Sequence, residues 1–266
     1  MKTSIKSTII LSLILNTIMA FGQNEFTIPL SDPGKRGKLN AHLNSGSITV
    51  KGTARKDVLV KYTSSNEKEE KHTTKDGLKR ISGGSVDLSG TEDNNNVKVA
   101  SDSWNDELDL DIEVPMGFDV KLHTYNSGDL TISNVQGEID LTNYNGAITA
   151  NNIKGSVVAT TYNDDIKVSF DEVKDGVPMA FSTYNGNIDV TFPSTVKASM
   201  KFKTDQGDIY SGFDMDIKSA GPVKKEDAKG GVYKVVVNEW KSGSVNGGGA
   251  EMTFKNYNGD IYVRKK

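Results

Sequence analysis

The chain has 266 residues, 35% of them hydrophobic, with 26 glycines and a formal net charge of -3. These values permit a packed core and exclude a strong electrostatic attraction of the whole chain to nucleic acid. There is no cysteine, which rules out disulfides, thiolate metal ligands, cysteine nucleophiles and a lipid-modified N-terminal cysteine.

Residues 1–22 read as a secretory signal. Lys2 and Lys6 supply a positive start, Ile9 to Ile18 is a short apolar run, and Ala20 and Gly22 place small residues before a cut at Gln23. The run is too short for a confident membrane span, and no later stretch is long and apolar enough to form one. An exported protein is expected: periplasmic, secreted or associated with the cell surface.

Residues 23–266 are expected to form one repeat domain, irregular over about 23–115 and regular over about 116–266. A turn residue recurs every nine positions at Gly128, Gly137, Gly146, Gly155 and Asp164. Each is followed by apolar residues at alternate positions, as in Gly128-Asp-Leu-Thr-Ile132 and Gly137-Glu-Ile-Asp-Leu141, the period of a strand with one buried face. Two turn types alternate. One carries Tyr-Asn, at Tyr125-Asn126, Tyr144-Asn145 and Tyr162-Asn163, with looser copies at Tyr184-Asn185, Asp205-Gln206 and Tyr257-Asn258. The other carries Asn plus an apolar residue, at Asn134-Val135 and Asn152-Ile153. The fold class that follows is all-β: a single-stranded right-handed β-helix or β-solenoid with roughly 18–22 residues per coil. Such a unit buries its apolar face only by stacking on the next.

Stacking predicts which residues meet. Val120, Ile139, Val157 and Met179 should form one inward column, and Leu122, Leu141, Ala159 and Phe181 the next. Leu130, Ile148, Ile166, Ile188, Ile209 and Ile261 should line the opposite face. Thr124, Asn143, Thr161, Thr183 and Thr204 should form a polar column at the corner, where ladders of like side chains can bond along the stack. Asn44 to Val50 is an N-terminal copy of the pattern, and Gly84 to Leu88 a fainter one. Residues 64–80 read as a charged hairpin or loop, residues 91–107 and 214–231 as insertions, and Arg264-Lys265-Lys266 as charges blunting an exposed edge strand.

The runs Val114-Pro115-Met116-Gly117-Phe118-Asp119-Val120, Tyr125-Asn126-Ser127-Gly128-Asp129-Leu130 and Gly137-Glu138-Ile139 carry a likeness, as do Gly247-Gly248-Gly249 and Asn258-Gly259-Asp260-Ile261-Tyr262-Val263. Over roughly residues 38–266 the chain resembles the bacterial "putative adhesin" family of β-solenoids, of the head-GIN-like kind. The resemblance implies a β-solenoid fold and a domain of unknown function, and it supplies no catalytic residues.

Chemistry is sparse. Asp109, Asp111 and Glu113 alternate along one strand and share a face, and Asp129, Asp165, Asp208 and Asp260 recur after the Tyr-Asn turns. A solvated acidic face is the simpler reading of both sets. His42, His72 and His123 show no ligand spacing, and no nucleophile elbow, phosphate loop or dinucleotide fingerprint occurs. No catalytic residue, metal site or cofactor is expected. The candidate binding surface is an aromatic strip of Tyr125, Tyr144, Tyr162, Tyr184 and Tyr257, with ring stacking that merely braces the corners as its structural alternative. The sequence thus points to a non-catalytic exported binding or adhesion module whose partner is a cell-surface glycan or protein. An envelope scaffold and a polysaccharide-degrading enzyme stand as alternatives.

Overall fold

The computed structural model describes the backbone of residues 24–64, 74–75, 78–79, 86–219, 223–226, 233–236 and 240–266. Residues 1–23, with the expected signal, lie outside the described residues, as do His72 and most of 64–80 and 219–239. Among those described there is no helix. Strands dominate, and their apolar residues point alternately inward, as in Leu108–Pro115 and Asp119–Asn126. Among the described residues no helix is long and apolar enough to cross a membrane.

The strands stack as coils, each giving one strand to a first sheet and one to a second. In stacking order, coil 1 is Asn96–Ser101 and Leu108–Pro115, coil 2 is Lys38–Ser45 and Ile48–Thr53, and coil 3 is Asp119–Asn126 and Leu130–Ser133. Coil 4 pairs Glu138–Asn143 with the first half of the long strand Ile148–Thr160; coil 5 pairs its second half with Ile166–Val173. Coil 6 is Met179–Ser182 and Ile188–Phe192, coil 7 is Ala250–Lys255 and Ile261–Lys265, and coil 8 is Ala198–Lys203 and Ile209–Ser211. All of these contacts between coils are parallel.

The inward columns form as the periodicity predicts. Val120 pairs with Ile139, Ile139 with Val157, Leu122 with Leu141, and Ala159 with Phe181. Ile148 pairs with Ile166, and both are fully buried. The order of the coils departs from the order of the chain at both ends. Coil 2 lies between coil 1 and coil 3, although it precedes both in sequence. Coil 7, the last in sequence, lies between coils 6 and 8. The second sheet's column therefore runs Leu110, Ile48, Leu130, Ile148, Ile166, Ile188, Ile261, Ile209.

Two expectations are corrected by this arrangement. Residues 91–107 are not an insertion: Ser89–Asp93 and Asn96–Ser101 form an antiparallel hairpin, and the second of these strands belongs to coil 1. Asn94 and Asn95 turn that hairpin with φ of 51° and 62°, a conformation asparagine tolerates better than most residues. Val86 to Leu88 form no strand, so the faint copy there is not a rung. Arg264 and Lys265 pair with Thr191 and Phe192 on one side only, past the Ile261–Val263 stretch that coil 8 also covers, so these charges stand where the strand has an open side among the described residues. Within 64–80, residues 74–75 pair antiparallel with 78–79, and residues 223–226 of the 214–231 segment pair antiparallel with 233–236 beyond it.

Antiparallel strands close three of the four sheet ends. Glu25–Pro29 and Asp57–Ser64 cover the second sheet before coil 1, and Ser89–Asp93 covers the first. Beyond coil 8, Lys241–Val245 and then Lys218–Ser219 extend the first sheet. The second sheet stops at Ile209–Ser211, which pairs on one side only among the described residues.

Candidate functional site

One corner of the stack carries the side chains singled out in the sequence. The backbone enters each second-sheet strand through the same hydrogen bond: the N–H of the first aliphatic residue donates to the carbonyl before its counterpart one coil on. The series is Leu130 to Ala147, Ile148 to Asp165, Ile166 to Asn187, Ile188 to Asp260 and Ile261 to Asp208. Identical corners place identical residues above one another.

Inside the corner runs the polar column, but not as a ladder of like side chains. Each member bonds the corner carbonyl of the preceding coil: Thr124 Oγ1 donates to Gly46, Asn143 Nδ2 to Gly128, Thr161 Oγ1 to Gly146, Thr183 Oγ1 to Asp164 and Thr204 Oγ1 to Gly259, at 2.9–3.1 Å. Asn256 donates to Gly186 at 3.1 Å and enters the column between Thr183 and Thr204. A buried carbonyl without a donor is costly, which is why these positions are polar inside an apolar core. Threonine meets the need with one hydroxyl. Asparagine also buries a carbonyl oxygen, and Oδ1 of Asn143 and of Asn256 finds no partner among the described residues. Asn143→Thr is therefore expected to raise stability by about 1 kcal/mol, read as a higher urea midpoint at unchanged slope.

The ladder of like amides lies one step outward. Asn145 Nδ2 donates to Asn126 Oδ1 at 3.1 Å, Asn163 to Asn145 at 2.8 Å, Asn185 to Asn163 at 2.8 Å and Asn258 to Asn185 at 2.8 Å. Beside it the acidic set serves the backbone. Asp129 Oδ1 accepts from Ala147 N–H, Asp165 Oδ1 from Asn187, and Asp260 Oδ1 from Asp208. The Asp208 N–H and the Tyr262 hydroxyl hold the Asp260 carboxyl below its ordinary range.

The five tyrosines form a continuous external column. Tyr125, Tyr144, Tyr162, Tyr184 and Tyr257 stack with centroids 4.8–5.0 Å apart and planes within 8° of parallel. Each is 37–41% exposed. Trp104, from the loop of coil 1, closes the Tyr125 end edge-on at 5.5 Å. Along this column the ring faces cover one another, so the solvent meets ring edges and phenolic hydroxyls. The next outward positions in coils 4, 5 and 6 are Thr142, Thr160 and Ser182, with Asp140, Val158 and Ala180 behind them. The Thr/Ser row beside the middle of the column is thus uncharged, and the Asp140 carboxylate behind it is paired with Lys121.

Two histidines that look scattered in sequence meet here. Coil 2 docks on coil 3 and stacks His42 on His123 at 5.0 Å. Burial, then the neighbouring His42 and Lys121, push the His123 imidazole below its ordinary value, with Asp140 opposing. A lowered folded-state value means that the unfolded chain binds more protons between it and the ordinary value near 6.5, so stability rises with pH across that window. Melting temperature is expected to fall as pH drops below about 6.5, with a weaker fall in His123→Thr.

The other acidic set, Asp109, Asp111 and Glu113, shares an outward face of coil 1. Asp111 lies opposite Lys61, and Arg55 approaches Glu113 at 4.0 Å. Among the described residues no group of three or more His, Asp or Glu side chains could hold a metal ion.

Parallel strands stacked with repeated corner ladders define an all-β, β-solenoid-like protein. Residues 116–246 match the family model Toastrack DUF4097. A solved crystal structure titled as a "putative cell adhesion protein" from Clostridium sporogenes is 14% identical, covers 92% of this chain and 100% of its own, and aligns with a TM-score of 0.48. No curated protein matches.

Proposed function

We propose that this protein is a non-catalytic binding or adhesion module of the bacterial envelope, acting outside the cytoplasm, and that the tyrosine column is its docking ridge. In this reading it is a single-stranded, right-handed solenoid. The sequence offsets of 18, 19 and 22 residues between bonded asparagine side chains of successive coils support a coil of 18–22 residues. The observation that carries the functional reading is the run of five aligned, two-fifths-exposed rings beside an uncharged Thr/Ser strip. Aromatic side chains present large contact area at low conformational cost, and tyrosine adds a hydroxyl. Because the faces are covered, the partner is met by edges and hydroxyls, not by a flat ring platform. The partner is a cell-surface glycan or protein.

The acids after the corners bond backbone N–H groups, which supports a structural role for them over a catalytic one. Binding of residues 23–266 to an array of cell-surface glycans and to purified envelope proteins tests the proposal. Tyr144→Ser with Tyr162→Ser is expected to weaken binding at least about tenfold, the loss of roughly 1.4 kcal/mol. Unchanged binding, or no ligand at all, overturns it.

A further inference from the structure

The second sheet's open end carries a different kind of site. Each coil donates the N–H of its first aliphatic residue to the coil that follows in the stack. Ile209, in coil 8, aims the same N–H past the last coil, where no acceptor lies among the described residues. Asp208 repeats the position from which Asp260 accepts a backbone N–H of the next coil, and among the described residues no backbone N–H reaches it, only the Tyr210 hydroxyl at 3.5 Å. Tyr210 stacks one face on Tyr262 at 5.0 Å and is 49% exposed. Ile209 is only half-buried, whereas Ile261, Ile188 and Ile166 of its column are fully buried. A donor, an acceptor, a ring face and an aliphatic column thus all stop at one short strand.

We infer that Ile209–Ser211 is a strand-capture site, which takes an extended peptide segment of a partner protein as a ninth, parallel rung. The terminating columns specify the segment's chemistry. It needs a free N–H opposite Asp208, an aliphatic residue over Ile209 and an aromatic residue over Tyr210. The chain itself uses that pattern twice, as Gly207-Asp208-Ile209-Tyr210 and Gly259-Asp260-Ile261-Tyr262. Strand addition of this kind takes affinity from main-chain bonds and selectivity from alternate side chains. The geometry favours a single strand over the end of a second copy. The first sheet continues past coil 8 by two strands, so it overhangs the open edge, and a broad partner would meet that overhang first.

The probe is a labelled synthetic heptapeptide with the sequence of residues 258–264, Asn-Gly-Asp-Ile-Tyr-Val-Arg, titrated into residues 23–266 and followed by fluorescence anisotropy. Saturable binding is expected, together with slowed hydrogen exchange at the Ile209 amide. Tyr210→Lys should weaken binding at least tenfold, as should replacing the peptide's Ile by Lys. Thr131→Ala, far along the same sheet, should leave it unchanged, and melting curves establish that each variant folds. Absence of saturable binding overturns the inference, as does binding indifferent to Tyr210→Lys. Concentration-dependent association of the protein alone, lost in Tyr210→Lys, also overturns it, because the edge then serves a second copy. None of these variants alters the tyrosine ridge, so its own test stands apart.

Discussion

Deleting residues 250–266 is expected to abolish folding of the C-terminal half, not to trim one coil from its end. In a solenoid whose coils follow chain order, a terminal coil contributes its own packing and one interface. Here the deleted coil sits between coils 6 and 8 and bonds to both. Met252, Phe254, Ile261 and Val263 are buried in it, and Phe254 lies between Phe181 and Phe202 at 5.1 Å from each. Losing four such side chains removes about 6–12 kcal/mol at ~1.5–3 kcal/mol each, comparable to the whole stability of an ordinary domain. It also leaves two coils facing an empty layer. Limited proteolysis should cut the truncated chain between residues 179 and 211, and its circular dichroism should show lost strand content. A cooperative melt within a few degrees of the full chain would contradict the interleaved order.

Gly186→Ala is expected to cost about 3 kcal/mol or more, among the largest effects of any single methyl added to this chain. Gly186 has a φ of 146°, and a Cβ there would lie 2.1 Å from the Asp164 carbonyl oxygen. That oxygen also accepts the Thr183 hydroxyl at 2.9 Å, so it cannot withdraw without breaking a buried bond. The backbone conformation and the stacking distance therefore act together. Gly117→Ala is the matched control: a Cβ there has nothing within 4 Å. It should change stability by no more than about 1 kcal/mol. Equilibrium urea unfolding of the two variants distinguishes them, and equal midpoints would refute the corner packing.

The regular stack was legible because its signal is local. Nine-residue spacing and alternation place Ile139 over Val120 and Ile166 over Ile148 without knowledge of anything distant. The order of the coils was not legible, since residues 38–53 and 250–265 carry the same pattern wherever in the stack they insert. The first strand of coil 1 was read as part of an insertion because Asp93-Asn94-Asn95-Asn96 looks like polar loop, whereas two of those asparagines make a tight turn into a buried strand. The polar column was found, but its partners were not: a sequence shows the threonines and hides the backbone carbonyls they bond. His42 and His123 meet only because coil 2 folds back onto coil 3. The tyrosine column was visible as a recurrence, but the closure of its ring faces needed coordinates.

The interleaving at both ends also bears on how the molecule responds to force. A tension applied through residue 266 does not meet an outermost strand that could peel away one hydrogen bond at a time. It meets a strand gripped on two sides, which must slide lengthwise and rupture both ladders together. Coil 2 is held in the same manner near the opposite end. A molecule that holds a surface partner while being tugged would gain grip from such a clasp, at the expense of a slot between coils 6 and 8 that must wait for residues 250–265 before it can close.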